Sequence, residues 1–524
     1  MEPTVVPKVD RAARLGTGVF FAVFVVLAAL TAGLPPVKNM SDPDTSEVNS
    51  GDTAWVLTCA ALVLFMTPGL ALFYGGMVHH TSVISTMYQS IVSMGVISVL
   101  WVIVGFSLAF GKDANGNGVI GYPRSFYMFN DVGPQTHPTL SPTVPLVAFS
   151  MFQLMFAIIT PALIAGALAE RVNFSAWMIF ISIWHLIVYC PLAHLMWHPD
   201  GAFRQWGALD FAGGTVVEMA SGVSALAGAY FIGPRKYSDA THTPPNIPFI
   251  MIGTGIFWFG WLGFNSGSAL SSGGLASVAF ATTNTAGASA MLTWIYLDFV
   301  LGKMTSAVGA CNGIVIGLVA ITPACGYVTV GSAMVIGCLA VLVCYTVGHF
   351  MKKNQGVDDS LDVFAVHGVG GIVGFLCTGI FSSKHINSAG ADGLVYGEGL
   401  TLAKHIAIVL AVAPIIFIVT YGIFSAIDFF VPVRVSEEEE AQGLDKSMHS
   451  EEYGHIPASQ AQTPKKIDQV AALGAQAKST ERDELNESTH SVRSNNSVTI
   501  IITGSPTTAP DSKKGAGSKE VALT

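Results

Sequence analysis

Residues 208–222 read ALDFAGGTVVEMASG, an apolar, glycine-rich run with one carboxylate, Asp210, at its mouth and a second, Glu218, inside it. A helix rises about 1.5 Å per residue, so Glu218 lies roughly 12 Å beyond Asp210. Asp210 is close enough to the start of the run to cap it and to complement the helix dipole. Glu218 is too deep for that. A second stretch, residues 357–374, reads VDDSLDVFAVHGVGGIVG, where Asp362 precedes a glycine-rich apolar run and His367 stands within it. An acid at the centre of a bilayer costs on the order of 2.5–3.5 kcal/mol on insertion scales, and the ionisable groups found there usually face a protein cavity.

That the bilayer is the right setting follows from composition. The chain has 524 residues, 51% hydrophobic and only 11% charged, against roughly 25% charged in ordinary soluble domains. Apolar runs of about 20 residues, enough to cross a hydrocarbon core, centre near Leu64, Val99, Phe156, Ile183, Leu226, Trp258, Thr293, Val315, Val335, Val373 and Ile416. The expected fold is an all-α polytopic membrane protein with eleven transmembrane helices. An earlier run, Gly16 to Leu34, follows Lys8, Arg11 and Arg14; it reads either as a cleaved signal peptide or as an extra N-terminal span.

Arg171, Arg235 with Lys236, Lys303, and Lys352 with Lys353 fall in loops after odd-numbered spans. The positive-inside rule therefore places those loops and the C-terminus in the cytoplasm. Lys112, Arg124, Arg204, Lys384 and Lys404 lie on the other side and make the bias modest. Asn39-Met40-Ser41, a glycosylation acceptor pattern, falls on the side expected to be outside.

The stretches around Glu218 and His367 are five spans apart. Five is odd, so equivalent spans cross in opposite senses, as in an inverted repeat with its site at the repeat interface. ALFYGG (71–76) in the first span and GFNSGS (263–268) in the sixth continue the correspondence. The expected architecture is a five-plus-five inverted repeat followed by a final long helix.

The formal net charge of −9 sits largely in the segment after about Val435, which includes Glu437 to Glu440; it speaks against a nucleic-acid partner. All seven cysteines lie in apolar runs without a CxxC pair, and no metal cluster, phosphate-binding loop or cofactor motif is legible, so neither enzyme activity nor a cofactor is expected. Beyond about Gly454 the chain is rich in Ser, Thr, Glu and Lys, a composition expected to be disordered. Its hydroxyls suit phosphorylation, and hence a cytoplasmic regulator or kinase. The chain divides into residues 1–51, a membrane domain 52–433, an ordered C-terminal segment 434–454 and a regulatory tail 455–524.

His367 has two ring nitrogens and an ordinary pKa near 6.5, which suits a proton relay, although a lone membrane histidine also serves in packing. His185, His194 and His349 have no symmetric mates and read as structural. Asp298 and Lys303 lie near a helix end and can pair or snorkel. Phe152, Phe156, Trp197, Trp261 and Phe264 read as interfacial anchors, or as faces over which a cation is held for about 0.5–2 kcal/mol.

In combination, FMTPGLALFYGG, FQLMFAIITPALIAGALAER, ALDFAGGTVVEMASG, GWLGFNSGS, GACNGIVIGLVAITPACGYV and VDDSLDVFAVHGVGGIVG resemble the ammonium transporter family, which includes the methylammonium permeases and is related to the Rhesus proteins. The resemblance covers roughly Asp52 to Tyr453. It implies a plasma-membrane homotrimer with a pore in each subunit, surrounded by membrane lipid. Carried over to matching positions, Trp197 and Ser268 would form the outer ammonium site with Phe156 beside it. Phe156 and Phe264 would be the stacked gate, and Phe152, Gln153, Trp261 and Asn265 lining or support. Asp210 would order the site, and His367 would be the second of two facing pore histidines. Glu218 stands where the first is expected, which is closest to fungal-type permeases that carry an acid there. The segment from Arg434 resembles the family's C-terminal segment, which packs under neighbouring subunits. The implied function is ammonium transport by recruitment, deprotonation, passage of ammonia and proton transfer through a Glu218/His367 pair. The alternatives are neutral gas conduction of the Rhesus type, or a nitrogen sensor whose tail signals.

Overall fold

Asn49, Asn173, Asn246 and Ser306 each start a helix by accepting a backbone N–H with the side chain, the role for which short polar residues are preferred at an N-cap. The computed structural model describes residues 45–237, 244–353 and 356–454. The hydrophobic run at Gly16 to Leu34, the Asn39 acceptor and the tail 455–524 lie outside the described residues.

The membrane helices are α1 (Ser50–Met77), α2 (Val83–Phe110), α3 (Leu146–Leu168), α4 (Phe174–Trp206), α5 (Gly214–Ile232), α6 (Ile247–Gly267), α7 (Gly274–Val300), α8 (Ala307–Ile321), α9 (Val330–Lys353), α10 (Phe364–Phe381) and α11 (Leu400–Asp428). Each contains one of the eleven expected span centres. Among the described residues, nine are long and apolar enough to cross a bilayer. The others are α7, which interrupts its apolar sequence with Thr282, Thr283 and Asn284, and α8, which has 15 residues. No strand forms among the described residues; pairing is limited to isolated bridges such as Val172 with Arg434.

The most apolar stretches of α3 and α5 are 83% buried and that of α11 only 28%. Thus α3 and α5 form the centre, and α11 presents apolar side chains such as Leu410, Ile415 and Ile418 outward, as a lipid-facing helix must. Helices α1 and α6 touch closely: a Cβ on Gly253 would lie 2.5 Å from Phe73 N. The same closeness recurs between α5 and α10, where a Cβ on Gly222 would overlap the backbone of Gly368.

At one end of the bundle, Arg171 is fully buried and donates to the carbonyls of Ala167, Ala169, Gly233 and Asp358 and to Ser360 Oγ. It thereby satisfies carbonyls that the ends of α3 and α5 leave unpaired. Beside it, Arg235 clamps Asp358 through Nε (2.8 Å) and Nη2 (3.0 Å) and reaches Glu170 at 3.3 Å. The C-terminal segment packs on the same face as α12 (Glu437–Gln442), opened by a Ser436/Glu439 capping box, and α13 (Leu444–His449). Asp445 accepts the N–H groups of Ile84 (3.1 Å) and Ser85 (2.7 Å) at the start of α2. Glu440 accepts from Lys236 N and Arg434 Nη2. Asp298 and Lys303 do not pair through their side chains: Asp298 accepts Ser306 N, whereas Lys303 Nζ donates to Tyr345 OH at 2.8 Å.

Candidate functional site

The loop before α5 positions the site. Asp210 Oδ1 accepts Gly213 N (2.8 Å) and Gly214 N (2.7 Å), and Oδ2 accepts Thr215 N (2.9 Å) and the Thr215 hydroxyl. The carboxylate is consumed by the turn that opens the helix. Gly213 takes a left-handed conformation (φ 117°), which a residue with a side chain adopts only under strain. The carbonyl of Asp210 in turn accepts Trp197 Nε1 at 3.1 Å. One residue therefore fixes both the entry of α5 and the indole next to it.

Trp197, Phe156 and Ser268 stand on the wall of a vestibule of about 710 Å³, with Gln153 and Asp210 also lining it. Trp197 meets the edge of Phe156 at 5.7 Å between centroids. Ser268 Oγ donates back to Phe264 O at 2.8 Å, so its hydroxyl oxygen keeps lone pairs for an incoming donor. Below, Phe156 and Phe264 pack with centroids 4.2 Å apart, tilted by 34° rather than parallel, and both are buried. Phe152 packs on Phe156 at 5.0 Å and Trp261 on Phe264 at 5.4 Å. Trp261 Nε1 donates to Thr322 and Asn265 Nδ2 to Thr283. Phe152, Trp261 and Asn265 thus pack behind the two rings, whereas Gln153 lines the vestibule.

Glu218 and His367 meet. His367 Nδ1 lies 2.7 Å from Glu218 Oε2, with both side chains almost wholly buried. Glycine makes the approach possible: α5 and α10 touch backbone to backbone at Gly222 and Gly368, and a Cβ on Gly371 would stand 2.7 Å from Glu218 Cβ. Both partners sit on widened π-helical turns, Gly214–Met219 and Phe364–Val369, a distortion frequent at functional sites. Glu218 Oε1 is buried without a hydrogen-bond partner among the described residues. In a closed apolar setting such an oxygen is a ready acceptor.

His185 packs beside Gly105 and Cys190, His194 bonds Ala109 O, and His349 lies by Lys303 and Tyr345; none joins the pair. Among the described residues no cluster of His, Cys, Asp and Glu has the form of a metal site. The expected match of Asp362 with Asp210 is corrected: Asp362 adopts a left-handed backbone and pairs with Lys352. The residue that accepts N–H groups at the start of α10 is Asp359, from Val363 (3.0 Å) and Phe364 (2.7 Å). Spacing was the signal that finds it, because Asp359 precedes His367 by the same eight residues that separate Asp210 from Glu218.

Known proteins are similar to this chain over most of its length. The model of the Ammonium Transporter Family matches residues 54–453. An ammonium transporter of Bacillus subtilis is 44% identical over 403 residues, covering 76% of this chain and 98% of that protein. The crystal structure of Saccharomyces cerevisiae Mep2 superposes with a TM-score of 0.71 at 30% identity, over 79% of this chain and 94% of the other. A solved sensor Amt protein gives 0.69 at 29% identity, over 76% and 98%. A helical bundle with an aromatic vestibule, matched along nearly its whole described length, is therefore assigned: the chain belongs to the ammonium transporter family.

Proposed function

We propose that the protein carries ammonium across the plasma membrane by separating it into ammonia and a proton. The observation that carries this reading is the Glu218–His367 hydrogen bond, buried in the bundle that the Phe156–Phe264 contact closes. A bare cation entering that constriction loses its hydration without replacement, at a cost far above that of a neutral molecule. Ammonium and potassium are alike in size, but only ammonium can release a proton. The cation is recruited at Trp197, Phe156 and Ser268, where aromatic faces and a hydroxyl oxygen replace part of its water. It loses a proton there, and ammonia passes when the two phenyl rings part.

The proton travels through Glu218 and His367. One proton shared between them leaves the pair neutral, as either acid with imidazole or carboxylate with imidazolium, which is the charge state a dry site tolerates. The two titrate as a unit. A further proton makes the pair transiently cationic, and its release restores neutrality. The acid at position 218 groups the chain with fungal-type permeases. The C-terminal segment packs beside Arg171, Arg235 and Lys236, the basic loops that the positive-inside rule assigns to the cytoplasm, which puts the vestibule outside. We further infer a homotrimer, in keeping with the family resemblance, and regulation of the tail by a kinase.

The test is current recorded with ammonium, methylammonium and potassium in cells lacking other transporters, with uptake counted in parallel. About one charge per ammonium and no potassium current are expected, and Glu218→Gln should lower the current by at least about tenfold, the low end for loss of a proton-transfer group being larger still. Full current with unchanged pH dependence in Glu218→Gln would falsify the relay. Uptake without current would establish neutral gas conduction instead.

A further inference from the structure

The two halves of the bundle build their pore residues with the same device. Asp210 and Asp359 each stand eight residues before the group that faces the partner helix. Each accepts backbone N–H groups from the first residues of the helix that follows. Each of those helices opens with a π-helical turn, and the turn carries Glu218 in one half and His367 in the other. The two ends differ in strength: Asp210 is buried and accepts three N–H groups and the Thr215 hydroxyl, whereas Asp359 is half-buried and accepts two N–H groups.

We propose that Asp359 is a positioning residue for His367: its ionised carboxylate holds the widened first turn of α10 and thereby keeps the imidazole aimed at Glu218. The proposal rests on the relay reading above. A carboxylate accepts two N–H groups well; a carboxylic acid accepts less strongly and must place a proton of its own. The hold on His367 therefore depends on the charge of Asp359.

That charge is set by its surroundings. Asp362 faces it on its own loop, Arg171 from the loop after α3 and Tyr74 from α1; around these stand Asp358 with Arg235, which also holds Glu170, and Lys352 at the end of α9. Lys352 is engaged by Asp362, and Arg235 by Asp358 and Glu170. Arg171 gives its hydrogen bonds to carbonyls and Ser360. Asp359 has no ion-pair partner of its own among the described residues. Burial, with the charge of Asp362 added, pushes its carboxyl up to about 7, against the pull of the Phe364 and Val363 N–H groups and of Arg171. Above about 7 the carboxylate is ionised and the turn is held. As the pH at this face falls through that value, the acid forms and the hold weakens. On the orientation proposed above this face is cytoplasmic, so transport slows when the cytosol turns acid, before the load of imported protons grows further.

The experiment uses the full chain. Ammonium-evoked current is recorded in excised patches while internal pH is stepped from about 8 to about 6, a range spanning the midpoint of a carboxyl raised this far. In purified protein, hydrogen exchange of the peptide covering residues 359–369 is followed over the same range. Wild-type current should fall several-fold with a midpoint near 7, and exchange should accelerate in parallel. Asp359→Asn keeps one acceptor oxygen and turns the other, which Val363 N or Phe364 N needs, into a donor; it should carry several-fold less current, with no dependence on internal pH and fast exchange throughout. Asp359→Glu should restore part of both. Asp362→Asn should keep the current at high pH and move the midpoint down. Wild-type current, pH profile and exchange in Asp359→Asn would overturn the proposal. Should the wild type carry no ammonium current at all, the electrogenic relay reading fails, and the exchange measurements still decide what Asp359 holds.

Discussion

Glu218 reaches His367 because two residues nearby have no side chain. A Cβ on Gly222 would run into the backbone of Gly368, so Gly222→Ala must push α5 and α10 apart. Overpacking of this kind costs about 1–3 kcal/mol, and a shift of even 1 Å lengthens a 2.7 Å hydrogen bond beyond use. The expected outcome is a lower melting temperature in detergent together with loss of most ammonium current. Gly95→Ala is the matched control, since a Cβ there would meet nothing within 4 Å; it should leave both quantities unchanged. Equal behaviour of the two variants would show that the helix contact at Gly222 does not govern the pair. The candidate pair itself was legible from residue type, because an acid and a histidine deep in apolar runs have few bland explanations. Their contact was not, since a sequence states that glycines are present but not which backbone each one faces.

At the scale of elements, the spans were readable, because apolar length acts locally. The register of the repeat was readable from the eight-residue spacing alone and not from nearness to the apolar run. Asp362 lies nearer the apolar run, yet it turns away with φ 58° and pairs with Lys352, while Asp359 supplies the acceptors. A local choice between two aspartates is made by the fold of the loop, and that loop is held from outside. Burial would raise the Asp358 carboxyl, but the Arg235 hydrogen bond and the charges of Arg171 and Arg235 more than offset it and hold it below its ordinary value. A depressed carboxyl stabilises the folded state above its unfolded pKa of about 3.9, and that contribution is lost as pH falls through the folded value. Arg235→Ala leaves Asp358 without its clamp, with side chains 16% and 21% exposed before the change. That partial exposure places the expected cost near 1–3 kcal/mol, between surface and buried pairs. Melting temperatures at neutral pH and at about pH 3 check the sign: the gap between wild type and Arg235→Ala should narrow on acidification, as carboxyls with depressed pKa values protonate. A gap that stays constant would assign the arginine's contribution to packing.

The molecule as a whole separates into two units, one ending at Tyr453 and one running from Gly454 to Thr524. Every residue of the vestibule, the aromatic constriction and the Glu218–His367 pair belongs to the first. So do the contacts by which Glu440 and Asp445 tie the C-terminal segment to the loops under α2 and α5. The second unit is polar and rich in Ser and Thr, a composition that phosphorylation can recharge but that cannot form a pore. The transport reading needs only the first unit, and a stop codon after Gly454 tests that division. In a cell without other ammonium transporters, the truncated protein should reach the membrane and sustain uptake at close to the full rate, because no pore residue has been removed. A permease requires nothing more. If uptake persists while an ammonium-dependent response of the host cell disappears, the tail carries a signal and the sensor reading gains its support. If uptake itself fails in truncated protein that still reaches the membrane, residues beyond Gly454 belong to the transport machinery, and the boundary at Tyr453 does not mark the end of the working transporter.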